Sequence, residues 1–360
     1  MAPRNEVIAE SIVHAIREPQ SQHSIMGRLP RYFSTYWLDF IRVREDIFKS
    51  LRAEWHVEEA DYQSSFTADK NSENALESMG DMGFSGSTFY TTADSTYLVK
   101  SVPREFEHSF FRDDLLEPYA KHMKKNQGSL LVRIMDFLET SQSTVGTTIG
   151  LAPSHHIIME NIRYGEGKGD DEQKWESYDL KPLSYFYPER DVAGGAFASK
   201  DAMDKLADEF NEKLILSLDE AEDLKAQLEK DTALLARCNA VDYSLYLVRI
   251  PAAVASDKSS SDAPIPPAEP PFVPPGPPSW RTGMKSADGK WVYRAAVLDF
   301  FWAKHKLTAK IMTGLINTYN LVDKQGPMSI TTNASEYRER FLKMCKEMLE
   351  VKQDEIKPQS

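Results

Sequence analysis

Gly80-Asp81-Met82-Gly83-Phe84-Ser85-Gly86-Ser87-Thr88-Phe89-Tyr90, turning through Ala93-Asp94-Ser95 into Thr96-Tyr97-Leu98-Val99-Lys100, is the stretch around which the chain is organised. Its glycines and small hydroxyl residues let backbone N–H groups approach an anion without interference from Cβ, as a nucleotide triphosphate requires. Thr88 to Tyr90 and Thr96 to Lys100 predict the two strands of a hairpin. In the second strand Tyr97 and Val99 share one face and Leu98 and Lys100 the other, so a single ammonium ends an otherwise apolar or neutral strand. An ammonium so placed can bridge phosphate oxygens. A glycine-rich hairpin with a solvated lysine is the commoner arrangement, and the nucleotide reading needs support from elsewhere in the chain.

The 360 residues are 41% hydrophobic, enough for one large domain or two lobes with a sizeable core. No window approaches the roughly 18 consecutive apolar residues of a membrane span. Met1 to Glu6 lacks the apolar core of a signal peptide, so the expectation is a cytosolic protein, with a nuclear pool left open. Cys238 and Cys345, the only two cysteines, have no metal-ligand spacing around them and read as reduced thiols. With 55 acidic against 43 basic residues, a net charge of −12, no nucleic-acid partner is expected through a broadly basic face. Any anionic partner must be met locally.

Upstream of the hairpin, residues 1 to 80 read as mainly helical, with Tyr36, Phe40, Val43 and Ile47 on one stripe. Helical character returns from Arg104 to Tyr119, where Glu105 or Glu107 is placed to pair with Lys100. Leu130 to Leu138 and His156 to Asn161 read as strands closing a small lobe's sheet, and His155 and His156, without a third ligand, as structural. Gly165 to Glu172 reads as a solvent loop. Ser217 with Glu220 forms a capping box for a long helix whose apolar stripe is Leu224, Leu228 and Leu235. That helix leads into the β-rich stretch Val241 to Ile250, with Asp242 near its beginning. Residues 251 to 280 hold ten of the 20 prolines and read as a disordered insertion. Within it, 255 to 278 are expected to be dispensable. PxxP spacings such as Pro271 to Pro274 suit an SH3-type partner, although such runs are far more often linkers. A last strand, Trp291 to Leu298, ends in Asp299.

Lys100, Asp179-Leu180-Lys181, Asp242 and Asp299 together supply what phosphoryl transfer needs. These needs are a cationic phosphate holder, a carboxylate for Mg²⁺ and a group that orients the attacking hydroxyl. Protein kinases also hold ATP with a glycine loop and a strand lysine, although this loop does not spell G-x-G-x-x-G. In their order these residues resemble the phosphatidylinositol phosphate kinase family. The matching pieces are Phe84-Ser85-Gly86-Ser87-x-Phe89-Tyr90 with Leu98-Val99-Lys100, Asn126-x-x-Ser129-Leu130-Leu131-x-Arg133, Tyr178-Asp179-Leu180-Lys181, Leu228-x-x-Asp231, Val241-Asp242-Tyr243-Ser244-Leu245 and Val297-Leu298-Asp299. Glu336-Tyr337-x-x-Arg340-Phe341 fits the family's closing helix and Asp61-Tyr62 its entry segment, so the resemblance runs from about residue 35 to 350.

The resemblance implies an α+β, two-lobed lipid-kinase fold distantly similar to protein kinases, with antiparallel sheets and flanking helices. Residues 1–34 would be an N-terminal helical extension, 35–160 an N-lobe with the glycine-rich hairpin, 161–350 a C-lobe carrying the insert, and 351–360 a tail. ATP and Mg²⁺ follow as cofactors. Ser85, Gly86 and Ser87 would cover the nucleotide and Lys100 would hold its phosphates. Asp299 would bind Mg²⁺, Asp242 would take the catalytic position, and Asp179 with Lys181 would line the phosphate site. After Asp299 come Lys304, His305, Lys306, Lys310 and Lys324 against a single Asp323. Lys304, Lys306 and Lys310 are expected to meet the headgroup and an anionic leaflet, at about 1 kcal/mol per lysine. A solvated amphipathic helix from Phe300 to Leu315 is the alternative.

The implied activity is ATP-dependent phosphorylation of an inositol hydroxyl of a phosphatidylinositol monophosphate at a membrane surface, as in a phosphatidylinositol 4-phosphate 5-kinase. One departure bears on it. The family usually continues Asp-Leu-Lys with Gly-Ser and a nearby arginine, whereas this chain has Pro182 and Leu183, and its nearest arginine is Arg190. Proline fixes φ and removes an N–H that would otherwise meet a phosphate. A non-catalytic pseudokinase that binds phosphoinositide or nucleotide therefore stays open beside the enzyme, which the intact Lys100, Asp242 and Asp299 favour. Also open are the phosphoinositide isomer used and a homodimer through residues 1 to 60.

Overall fold

The structure, a computed structural model, describes residues 4–18, 37–68, 74–81, 87–141, 152–166, 175–182, 208–252, 279–303 and 333–352. The chain forms two units, one from Met1–Lys125 with Val132–Asn161, the other from Asn126–Leu131 with Ile162–Ser360. The fold is mixed helix and antiparallel sheet, as the sequence predicts. Among the described residues no helix is long and apolar enough to cross a membrane.

In the first unit the predicted hairpin is β3 (Thr88–Thr92) and β4 (Tyr97–Ser101), with Phe89 opposite Lys100 and Thr91 opposite Leu98. Asp94 shapes its turn by accepting from the Thr92 hydroxyl at 2.6 Å and the Thr96 N–H at 2.9 Å. This hairpin is part of a six-stranded antiparallel sheet in the order β1-β5-β6-β4-β3-β2, completed by β1 (Phe40–Arg42), β2 (Leu76–Asp81), β5 (Ile134–Thr140) and β6 (His155–Glu160). Phe40 therefore lies on a strand, not on the predicted helical stripe. Its backbone pairs with Thr140, 100 residues away in sequence, and long-range pairing overrides local periodicity. The helix begins only at α2 (Glu45–Glu54), after Arg44 turns the chain at φ 51. Helix α1 (Arg4–Arg17) buries Ile8, Ile12 and Ile16, one stripe at helical spacing, and packs on β1 and β2. The helical segment after β4 is α4 (Glu105–Phe110), a wider π turn (Phe111–Leu115) and α5 (Leu116–Lys125); α3 (Glu59–Ser64) precedes β2.

One ionic cluster ties this unit together. Asp136, fully buried on β5, accepts from Arg42 Nε at 2.9 Å and the Tyr62 hydroxyl at 3.0 Å and also pairs with Arg52. Glu59 takes the other side of both guanidiniums. Burial works against the Arg42 charge, but Asp136 more than offsets it and holds the guanidinium protonated. Behind the cluster His108 stacks on His155 with centroids 3.5 Å apart, and His156 meets Phe40 edge-on at 5.1 Å. Desolvation lowers all three imidazoles, His108 and His155 to about 4 and His156 to about 3.

The second unit carries a four-stranded antiparallel sheet, β11-β12-β10-β7, from β7 (Glu176–Leu180), β10 (Ser244–Pro251), β11 (Met284–Lys285) and β12 (Trp291–Leu298). Short strand β8 (Leu214–Leu216) leads into α6 (Leu218–Arg237), whose capping box closes as predicted, the Ser217 hydroxyl accepting from the Glu220 N–H and the Glu220 carboxylate from the Ser217 N–H. Helix α7 (Ala334–Glu347) matches the predicted closing helix, and β14 (Leu349–Val351) returns parallel to β8. Residues 129–131 belong here and not to the strand predicted from Leu130. Asp231 on α6 accepts from the Ser129 hydroxyl at 2.8 Å and the Leu130 N–H at 2.6 Å, while Leu130 C=O accepts from Val297 at 2.7 Å. Gly165, expected in a solvent loop, is buried at φ 90 beside the Arg163–Glu166 ion pair.

Candidate active site

The ladder between β10 and β12 runs to Ser244 opposite Leu298 and stops. It resumes as β9 (Ala240–Val241) against β13 (Trp302–Ala303), with Val241 opposite Trp302. Asp242-Tyr243 on one side of this gap thus face Asp299-Phe300-Phe301 on the other. Each side begins with an aspartate in the left-handed region, Asp242 at φ 63 and Asp299 at φ 60. Asp enters this region more readily than branched residues, but the conformation still costs on the order of 1–3 kcal/mol and persists only where neighbours enforce it. The aromatic residues that follow provide that enforcement. Tyr243, Phe300 and Phe301 are buried, and Tyr243 packs edge-on against Tyr337 at 4.7 Å and Phe341 at 4.9 Å on α7. Trp302 and Ala303 are strand, which removes the start of the alternative helix from Phe300; the remainder of that segment lies outside the described residues.

Lys181 joins the two aspartates from β7. Leu180 pairs with Leu245 on β10, so the next residue emerges beside the gap, and its ammonium lies 3.2 Å from Asp242 Oδ1. Burial alone would lower the Lys181 pKa, but Asp242, Asp179 and Asp299 more than offset it and raise it above the ordinary lysine value. Four of the predicted site residues therefore gather in one unit as one cation among three carboxylates. The Asp179 N–H donates to Asp208 Oδ2 at 2.6 Å, a contact from a residue that carries no sequence signal. Among the described residues no group of three or more His, Cys, Asp or Glu side chains forms a metal cage. One or two carboxylates suit Mg²⁺, which completes its shell with phosphate oxygens and water, so Asp299 and its neighbours fit that ion.

In the other unit Lys100 is buried on β4, with its ammonium 5.5 Å from the Phe89 ring centroid. Ser87 is buried at the head of β3, where the Thr88 N–H donates to the Ser101 hydroxyl at 2.8 Å. Glu107 pairs with Arg104 at 3.2 Å. Ser85 and Gly86, and Lys304, Lys306 and Lys310, lie outside the described residues.

The profile of the phosphatidylinositol-4-phosphate 5-kinase family matches residues 70–348. The chain belongs to that family. The matched range takes in the glycine hairpin, both left-handed aspartates and α7. The chain is 28% identical over 201 residues to a probable phosphatidylinositol phosphate kinase of Dictyostelium discoideum, covering 56% of this chain and 26% of that protein. It is 30% identical over 116 residues to a phosphatidylinositol 4-phosphate 5-kinase of Schizosaccharomyces pombe, covering 32% and 14%. A phosphatidylinositol 4-phosphate 5-kinase of Arabidopsis thaliana matches at 30% over 97 residues, 27% of this chain and 11% of the relative. The chain thus spans about a quarter or less of the length of these curated relatives.

Proposed function

We propose that this chain transfers the terminal phosphoryl group of ATP to a free inositol hydroxyl of a phosphatidylinositol monophosphate, giving a bisphosphate. The observation that carries the reading is the ladder gap, with two left-handed aspartates facing each other and Lys181 bonded to one of them. Asp242 orients the hydroxyl and receives its proton as the oxygen bonds to phosphorus and the bond to the ADP oxygen breaks. Lys181, held charged by its carboxylates, fixes Asp242 and faces the negative charge of the transferring group. Asp299 would hold Mg²⁺, which neutralises phosphate oxygens when bound. Asp179 keeps Lys181 charged, Lys100 offers a second cation for the nucleotide phosphates, and Ser85, Gly86 and Ser87 would cover the nucleotide. The basic run Lys304, Lys306 and Lys310 is assigned to the headgroup and to peripheral attachment at the leaflet. The reading needs neither a homodimer nor an SH3-type partner.

Pro182 favours a second reading. It is buried directly after Lys181 and presents no N–H to a phosphate, so a pseudokinase that binds nucleotide or phosphoinositide without turnover remains the competitor. Vesicles containing each phosphatidylinositol monophosphate, incubated with the chain and Mg·ATP and resolved by headgroup, separate the two. A bisphosphate product supports the kinase. Saturable Mg·ATP binding without any bisphosphate supports the pseudokinase.

A further inference from the structure

The gap that presents Asp242 also takes a carbonyl out of the ladder. Val241 pairs with Trp302 and Ser244 with Leu298, so Tyr243, wholly buried between them, has left the register that would satisfy its C=O. A buried backbone acceptor must find a donor. Here the donor is the phenol of Tyr337, itself fully buried on α7. Its helix is firmly placed. Asn333 caps it by accepting from the Glu336 N–H at 2.9 Å, and Arg338 Nε donates to the Thr232 hydroxyl on α6 at 3.1 Å.

We propose that Tyr337 is a positioning residue for Asp242, its hydroxyl holding the adjacent Tyr243 carbonyl and with it the left-handed turn that sets the Asp242 carboxylate on Lys181. A phenylalanine would pack the same ring, as Phe341 does from the next turn of the helix. The hydroxyl adds a directional bond beside the catalytic carboxylate. Its catalytic consequence rests on the kinase reading above, but its structural part does not.

The test uses the full chain with Tyr337→Phe, which keeps the ring and deletes the donor. Hydrogen exchange of the amides at 242–245 should accelerate about tenfold, as loss of one buried hydrogen bond implies, while α6 and β12 keep their protection. In the vesicle assay kcat should fall about tenfold with the KM for ATP unchanged, and Tyr337→Phe should cost nothing further in an Asp242→Asn background. Unchanged exchange at 242–245 overturns the proposal. So does an equal loss in both backgrounds, which marks a general packing role. If the parent chain phosphorylates no monophosphate, the kinase reading fails by itself, and the exchange result still decides whether Tyr337 holds the turn.

Discussion

Asp136 and Asp242 both interrupt apolar strands, one in each unit, and they are handled in opposite ways. Asp136 sits within β5, just after a register shift against β6, with no exposure, and two guanidiniums and a phenol are bonded to it. Asp242 sits where a ladder has opened, in a strained turn, with one lysine and a second left-handed aspartate across from it. The first arrangement gathers two guanidiniums and a phenol on one carboxylate oxygen, Oδ2; the second sets one ammonium on Asp242 Oδ1. The two acids differ in how many side-chain donors hold them and in the left-handed backbone that carries Asp242.

The largest effect expected from this contrast is on folding. Asp136→Asn removes one charge from a buried network and leaves Arg42 and Arg52 to the partly exposed Glu59, with Glu45 on Arg42 as well. Loss of one partner of a buried ion pair costs about 3–5 kcal/mol. Urea unfolding should show that loss in the midpoint without a change in slope. A loss below about 1 kcal/mol, the range of solvated surface pairs, would make Asp136 no different from those.

Asp242→Asn should do the reverse. Shape is kept and the charge removed, so Mg·ATP affinity and thermal stability should stay near the parent values. Lipid phosphorylation should fall by about 100-fold or more, roughly 2.7 kcal/mol in the transition state. Lys100→Ala and Asp299→Ala should instead weaken Mg·ATP binding in calorimetry. If Asp242→Asn phosphorylates lipid at the parent rate, Asp242 belongs with Asp136 as a structural acid and Asp179 becomes the better candidate.

Part of this division was legible in the sequence. The hairpin, the capping box at Ser217, the strand before Asp299 and the four clustered residues Asp179, Lys181, Asp242 and Asp299 all follow from local pattern or motif. What was not legible depends on distant pairing. The three residues of β1 carry no strand signal of their own and exist because Leu138 to Thr140 lie beside them. An aspartate in the otherwise apolar run Ile134 to Leu138 signals that a partner exists. Nothing local says that the partners are Arg42, Arg52 and Tyr62. Likewise Ser129 and Asp231 are both motif residues, but their bond becomes visible only once residues 129–131 are seen against β12.

A smaller effect probes the neutral side of the first unit. His156 is buried without a hydrogen-bond partner on either ring nitrogen, and burial lowers its pKa to about 3. The unfolded chain takes up that proton below about pH 6.5 and the folded chain does not until about pH 3, so stability is full above 6.5 and falls as pH drops through this window. Between pH 6.5 and 5 the loss from this one group is about 2 kcal/mol. His156→Phe should flatten the pH dependence of the unfolding midpoint by that amount over the same interval. An unchanged slope would mean that His156 reaches a proton in the folded state.

The smallest expected effect concerns residues 255 to 278, and here geometry corrects composition. The described flanks sit on opposite sides of β12. The Ala252 N–H donates to Lys290 C=O from the β10 side, and Trp280 C=O accepts from the Ala295 N–H on the β11 side. Two strand spacings across and five residues along amount to about 19 Å. A plain deletion leaves four Cα steps between Ala252 and Trp280, at most about 14 Å. It should therefore pull Arg281 away from the Ser129 and Leu131 carbonyls that it caps, disturbing the approach to Asp299. Replacing 255–278 with about eight Gly and Ser residues supplies the reach, and closing a loop of that length costs little more or less than the natural one. The replacement should keep its melting temperature within about 2 °C, a stability change of a few tenths of a kcal/mol, and its vesicle activity within about twofold. Lost activity at an unchanged melting temperature would show that the acids of the second unit, unlike Asp136, depend on chain beyond their own ladders.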